Sequence, residues 1–132
     1  DVAAAHHERL DDLAIAYLGN RDELEQVSRD ELARRITAGE VVVIDVRPAQ
    51  EYRSGHIAGA RSVPVDDLVG CLGALLAEVP DGTEIVAYCR GPYCAYADAA
   101  VRVLHARGRA ARRLEDGFPE WHRAGFPVEI AI

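Results

Sequence analysis

The sequence holds no lysine and no methionine. All fifteen of its Lys+Arg cations are therefore arginine, which a compositional bias of the source genome explains as readily as any function does. The missing methionine extends to position 1, where Asp1 stands, so the chain is expected to be part of a longer protein. Cysteine is sparse. Three residues are an odd count and too few for a disulfide framework, which points to a reducing, cytoplasmic compartment. No apolar run approaches the roughly 20 residues of a membrane span. The start lacks the charged-then-apolar pattern of a signal peptide. A basic excess is also lacking. Fifteen cations against 22 anions leave a net charge of -7, which argues against direct nucleic-acid contact by this domain.

What is present suits one α/β domain. The 132 residues are 49% apolar, enough to fill a single core. Residues 1–26 stand apart. Leu10, Leu13, Tyr17 and Leu18 form one helical stripe, and Gly19-Asn20 is a helix stop. This segment reads either as a helix packed on its own domain or as a linker from an upstream domain, with the missing methionine favouring the second. The main domain is expected over 27–132. Ser28-Arg29-Asp30-Glu31 fits a capping box with Val27 as staple, and Leu32 and Ile36 share the following helix's buried face up to Gly39. Val41–Ile44 and Ile85–Tyr88 are short β-branched or apolar runs suited to strands buried on both faces. Asp67–Val79 and Ala95–Arg107 read as helices, Ala110–Leu114 as a strand, and Gly117–Arg123 as a short helix around Trp121. Strands alternating with helices imply a mostly parallel sheet, with sites beyond the strands' carboxyl ends.

The most informative stretch is Cys89-Arg90-Gly91-Pro92-Tyr93-Cys94, between a buried strand and an Ala-rich helix. A strand-to-helix turn aims several backbone N–H groups at one point, and the helix N-terminus adds partial positive charge. A thiol there should be depressed in pKa and nucleophilic, with Arg90 a nearby cation. Cys89 as a buried structural thiol is the alternative. A zinc site on Cys89 and Cys94 lacks a second ligand pair, and a Cys-x-x-Cys redox motif is absent. Cys94 reads either as a thiol that resolves chemistry on Cys89 or as a small residue facing the helix; the sequence leaves both open.

Three ordered blocks carry a family resemblance. The first is Ile44-Asp45-Val46-Arg47, then Glu51-Tyr52, Gly55-His56-Ile57, Gly59-Ala60 and Val63-Pro64. The second is the cysteine loop. The third is Leu114-Glu115-Asp116-Gly117-Phe118 with Trp121, where Asp116 replaces the first glycine of a Gly-Gly-x-x-x-Trp pattern. Over about residues 27–130 the chain resembles the rhodanese sulfurtransferases. The resemblance implies a rhodanese-like α/β fold, a five-stranded, mostly parallel sheet with helices on both faces. It also implies sulfur transfer through a Cys89 persulfide, from thiosulfate or another persulfide to a thiol or cyanide. Arg90, Gly91, Pro92, Tyr93, Cys94 and Ala95 would bind the anionic donor, with no metal and no cofactor. The loop departs from many active members: Gly91 is two residues after Cys89, Pro92 takes the third place, and Cys94 ends the loop. Phosphatases of this fold have one more loop residue and a closing Arg, where this chain has Ala95. With its N-terminal segment, the chain also looks like the C-terminal half of ArsR-type repressors fused to a rhodanese. That implies an upstream winged-helix DNA-binding domain. The alternative function is a sulfur-, redox- or metalloid-sensing module using Cys89 and Cys94, and a third reading is a silent interaction domain.

The remaining polar residues read more plainly. Asp45 is expected to bond backbone N–H groups and Arg47 to pair with Glu51. His56 is expected to be a hydrogen-bonding turn residue, Cys71 a core or half-buried thiol, and Trp121 to pack near the sheet. Arg107–Arg113 is expected to be a solvated basic face.

Overall fold

The computed structural model describes residues 26–131. The helix expected around Leu10–Leu18 lies outside these residues. Five parallel strands form the sheet, in the order β1-β6-β5-β2-β4. They are β1 (Gln26–Val27), β2 (Val41–Asp45), β4 (Arg61–Ser62), β5 (Glu84–Tyr88) and β6 (Ala111–Leu114). The sheet thus takes in Gln26, paired with Arg113. A separate antiparallel pair joins β3 (His56–Ile57) to β7 (Val128–Glu129). The helices are α1 (Arg29–Thr37), α2 (Ala49–Ser54), α3 (Leu68–Glu78), α4 (Ala95–Ala106) and α5 (Phe118–Arg123), with a 3-10 turn at Val65–Asp67. None of these helices is long and apolar enough to cross a membrane.

Strand alternation sorts the core into two layers. Ile44, Ile85, Ala87 and Cys89 face one side, where Leu68, Leu72 and Leu75 of α3 and Ala97, Val101 and Leu104 of α4 cover them. Val43, Val86 and Tyr88 face the other, against Leu32 of α1 and Trp121 of α5. The helices therefore lie on both faces, as the βαβ pattern demanded. Cys71 is half-buried against the first layer as a free thiol. Trp121 is buried, and its indole donates to the Pro127 carbonyl at 2.9 Å.

Local signals place the helix ends. Ser28 Oγ caps α1 by accepting from the Glu31 amide at 3.2 Å. The reciprocal half of the capping box gives way to an ion pair, because Glu31 turns to Arg112 at 3.4 Å. Gly39 and Gly108 follow α1 and α4 at φ 71° and 75°, the left-handed region that glycine fills without a Cβ clash.

Arg112 and Arg35 converge on Glu84 at the start of β5. Burial pushes the Glu84 carboxyl upward, but hydrogen bonds and charge from Arg112 and Arg35 outweigh it and hold its pKa below the ordinary value. A carboxyl depressed on folding stabilises fully above its unfolded pKa and loses that stabilisation as pH falls through its folded pKa. Glu84→Gln is expected to lower the urea midpoint near neutrality. The gap from wild type should close as pH falls below about 4.

Candidate active site

The register of β2 against β5 sets Asp45 beside Tyr88. Their carboxyl ends therefore deliver two loops side by side, Val46–Pro48 and Arg90–Cys94. Cys89 follows Tyr88 with opposite parity. Tyr88 enters one core layer and Cys89 the other, where it is 0% exposed. Cys89 and Cys94 are joined in a disulfide, with their Cα atoms 6.2 Å apart, a span the bridge spans readily. Cys94 is half-buried and stands at the N-cap of α4.

Arg113 lies beneath the loop, with 0% of its side chain exposed. Its Nη2 donates to the Gly91 carbonyl at 2.9 Å and its Nη1 to the Cys94 carbonyl at 3.0 Å. Nη1 also reaches Asp98 Oδ1 of α4 at 3.0 Å, and Nε bonds the Leu114 carbonyl at 3.0 Å. One planar fork thus fixes the middle and the last residue of the loop to the first turn of α4. The expectation of a solvated face at Arg107–Arg113 fails here. In β6, Arg112 is spent on Glu84 and Glu31, and Arg113 is fully buried because Asp98 and three carbonyls satisfy its charge. The signal that could have found it was a cation at the same strand parity as the apolar Ala111 within an expected strand.

A second buried network lies in the adjacent loop. Asp45 accepts from the Arg47 amide at 2.9 Å, from Arg47 Nη2 at 2.6 Å and from the Tyr88 hydroxyl at 2.6 Å. Arg47 also donates to the Gly55 carbonyl at 2.6 Å, and its guanidinium lies 4.4 Å from the Phe118 ring centroid. Burial lowers the Arg47 pKa, but Asp45 and Tyr88 outweigh it and the net shift is upward. Burial, with Asp45 second, pushes the Tyr88 hydroxyl far up, so it stays protonated and donates. The expected Arg47–Glu51 pair is not what forms. Pro48 caps α2 with extended backbone, so Arg47 stands outside the helix and turns back to Asp45. Glu51 instead takes Arg90 of the cysteine loop in a two-pronged pair at 2.9 and 2.8 Å. The hydrogen bond from Arg90, with its charge, draws the Glu51 pKa down against a smaller burial effect. His56 is buried, stacks on Tyr52 at 3.8 Å and bonds the Tyr52 carbonyl at 2.8 Å, the structural role expected of it.

The third segment closes on the loop from the side. The Phe118 amide donates to the Cys89 carbonyl at 3.0 Å. A Cβ on Gly117 would collide with the Gly91 backbone and the Arg90 carbonyl carbon. The backbone at Gly117 is extended, with φ -113° and ψ -173°, so space and not conformation demands the glycine. Asp116, in place of the motif's first glycine, pairs with Arg29 at 2.8 Å. Beside the loop opens a cleft of about 270 Å³ lined by Arg47, Gln50, Glu51, Ser54, Gly55 and Phe118.

A parallel five-stranded sheet with a cysteine loop at its carboxyl edge is the architecture that the sequence blocks implied. Residues 28–124 match the rhodanese-like domain. The chain belongs to that family. It is 46% identical over 131 residues to the HTH-type transcriptional regulator Rv0324 of Mycobacterium tuberculosis, an overlap covering 97% of this chain and 55% of that protein. It thus spans about half the length of that regulator. It is 26% identical over 104 residues to a sulfurtransferase of Allochromatium vinosum, covering 78% of this chain and 92% of that one. Among solved structures, the thiosulfate sulfurtransferase of Pseudomonas aeruginosa superposes with a TM-score of 0.73 at 26% identity, over 90% of this chain and 23% of that one. Within this rhodanese-like domain the loop's departures have local consequences. Pro92 contributes no N–H, and the Cys94 amide is spent on the Gly91 carbonyl at 3.3 Å. Tyr93, 81% exposed, stands at the loop's outer rim.

Proposed function

We propose that this rhodanese-like domain is a sulfurtransferase that moves sulfane sulfur from thiosulfate or a persulfide to a thiol or cyanide acceptor through Cys89. The observation that carries the reading is the position of Cys89. It directly follows the central strand β5 and opens a six-residue loop whose carbonyls at Gly91 and Cys94 are drawn away by Arg113. Peptide N–H and C=O groups point in opposite directions, so drawing the Cys94 carbonyl down aims the Ala95 N–H outward. The Ala95 amide would then be a donor for a charged sulfur, with the amides of Arg90 and Tyr93 proposed beside it. The dipole of α4 adds positive potential at the same point. This environment favours a Cys89 thiolate once the disulfide is opened.

In the proposed reaction the Cys89 thiolate attacks the outer sulfur of thiosulfate. A Cys89 sulfur–sulfur bond forms, the donor's sulfur–sulfur bond breaks, and sulfite leaves with the electron pair. A thiophilic acceptor then takes the outer sulfur and restores the thiolate. Arg90 is held by Glu51 at the loop rim and its charge is matched there, so attraction for an anionic donor falls to the loop amides and the α4 dipole. A reducing, cytoplasmic setting suits a reaction that needs Cys89 free. The likeness to an HTH-type regulator supports an attached helix-turn-helix DNA-binding domain as the partner in the whole protein.

Sulfite is the first product and reports the reaction whatever follows. The reduced chain, freed of reductant and mixed with thiosulfate, is expected to release sulfite, and Cys89→Ser to release none. Absence of sulfite from the wild type, together with no sulfur uptake from glutathione persulfide, would overturn the reading.

A further inference from the structure

We infer that Cys94 is a built-in acceptor: it attacks the Cys89 persulfide at its inner sulfur, expels hydrosulfide and leaves the Cys89–Cys94 disulfide. The inference rests on the Cys89 persulfide proposed above and adds a reductive fate for its sulfur. In the structure Cys94 Sγ is bonded to Cys89 Sγ, the atom that becomes the inner sulfur. The Phe118 amide holds Cys89 by its carbonyl at 3.0 Å, and Arg113, paired with Asp98, holds Cys94 by its carbonyl, so the two residues are kept at this separation by contacts that do not involve either thiol. Cys71, the remaining cysteine, lies on α3, packs against that core layer and is not paired.

The step balances. The Cys94 thiolate forms a bond to Cys89 Sγ, the bond from Cys89 Sγ to the outer sulfur breaks, and that sulfur leaves with the electron pair and takes up a proton as hydrosulfide. Two electrons pass from the thiol pair to the sulfane sulfur, and the pair is oxidised to the disulfide. Hydrosulfide is a small, weakly basic leaving group, which favours its departure. Resetting the site needs a dithiol reductant, whose own thiols become a disulfide. Access decides where it attacks: Cys89 is 0% exposed, whereas Cys94 is half-buried at the helix N-cap. The reductant therefore attacks Cys94 Sγ, and Cys89 leaves as the thiolate in the loop, ready for another donor.

The test uses the reduced chain, thiosulfate, and no added reductant, following sulfite, hydrosulfide and intact mass together. Wild type is expected to yield one hydrosulfide for each sulfite and to end two hydrogens lighter than the dithiol. Cys94→Ser and Cys94→Ala are expected to release sulfite, no hydrosulfide, and to keep one extra sulfur. Sulfite without hydrosulfide from wild type, or equal hydrosulfide from the Cys94 variants, would overturn the inference and leave the Cys89 reaction standing. Sulfite from neither wild type nor variants, with no sulfur uptake from glutathione persulfide either, would overturn both.

Discussion

Arg113→Met is expected to lower stability by about 3–5 kcal/mol, because it leaves the Asp98 carboxylate buried without its partner. Sulfite release should fall further than stability accounts for, by about 100-fold, because the loop loses the group that holds its Gly91 and Cys94 carbonyls. The two effects can be separated. Asp98→Leu in the same chain removes the stranded charge and should restore most of the urea midpoint, since an apolar pair can replace a buried ion pair at little cost. It should not restore sulfite release, because the Gly91 and Cys94 carbonyls remain without the fork. Recovery of both together would mean that Arg113 serves stability alone.

Gly117→Ala carries the second large effect. The added methyl meets backbone atoms of Gly91 and Arg90, which cannot swing aside as a side chain would. Either the cysteine loop or the start of α5 must shift, at a cost of about 1–3 kcal/mol. A shift of the loop should reduce sulfite release by about 100-fold, since small misplacements of reacting groups are expensive. Gly70→Ala is the control. Gly70 lies in α3 with open space around it, and alanine there should stabilise the helix by about 1 kcal/mol and leave sulfite release unchanged.

Much of this arrangement was readable in the residues. Val41–Ile44 and Ile85–Tyr88 announce buried strands because both their faces are covered, and the observed β2 and β5 contain or match them. The loop from Cys89 to Cys94 followed from a strand running into an Ala-rich helix. The elements that escaped are those without periodicity. The strands β1, β3, β4 and β7 are two residues each, too short to alternate, and α2 buries none of its six residues, so it carries no apolar stripe.

The site's polar partners escaped for a different reason: they are set by register across the sheet, not by neighbours in sequence. Arg47 and Glu51 look like a helical pair at four-residue spacing, but Pro48 starts the helix after Arg47. Arg47 then finds Asp45, and Glu51 finds Arg90, 39 residues away. Arg113 reaches Gly91 only because β6 lies directly beside β5. The glycine kept at 117 was visible as part of a motif, while its cause, the approach of the cysteine loop, required the fold. Cys94 stood open between two roles on sequence. The disulfide to Cys89 favours the role of reacting partner.

The central claim is that Cys89 carries the transferred sulfur, and the Cys94→Ser chain tests it most directly because nothing in its loop can discharge a persulfide. Reduced, mixed with thiosulfate and digested under alkylation, it should show one extra sulfur on the peptide bearing Cys89 and none on the peptide bearing Cys71. Sulfur on Cys71, or an unmodified Cys89 with thiosulfate and with glutathione persulfide alike, would contradict the account.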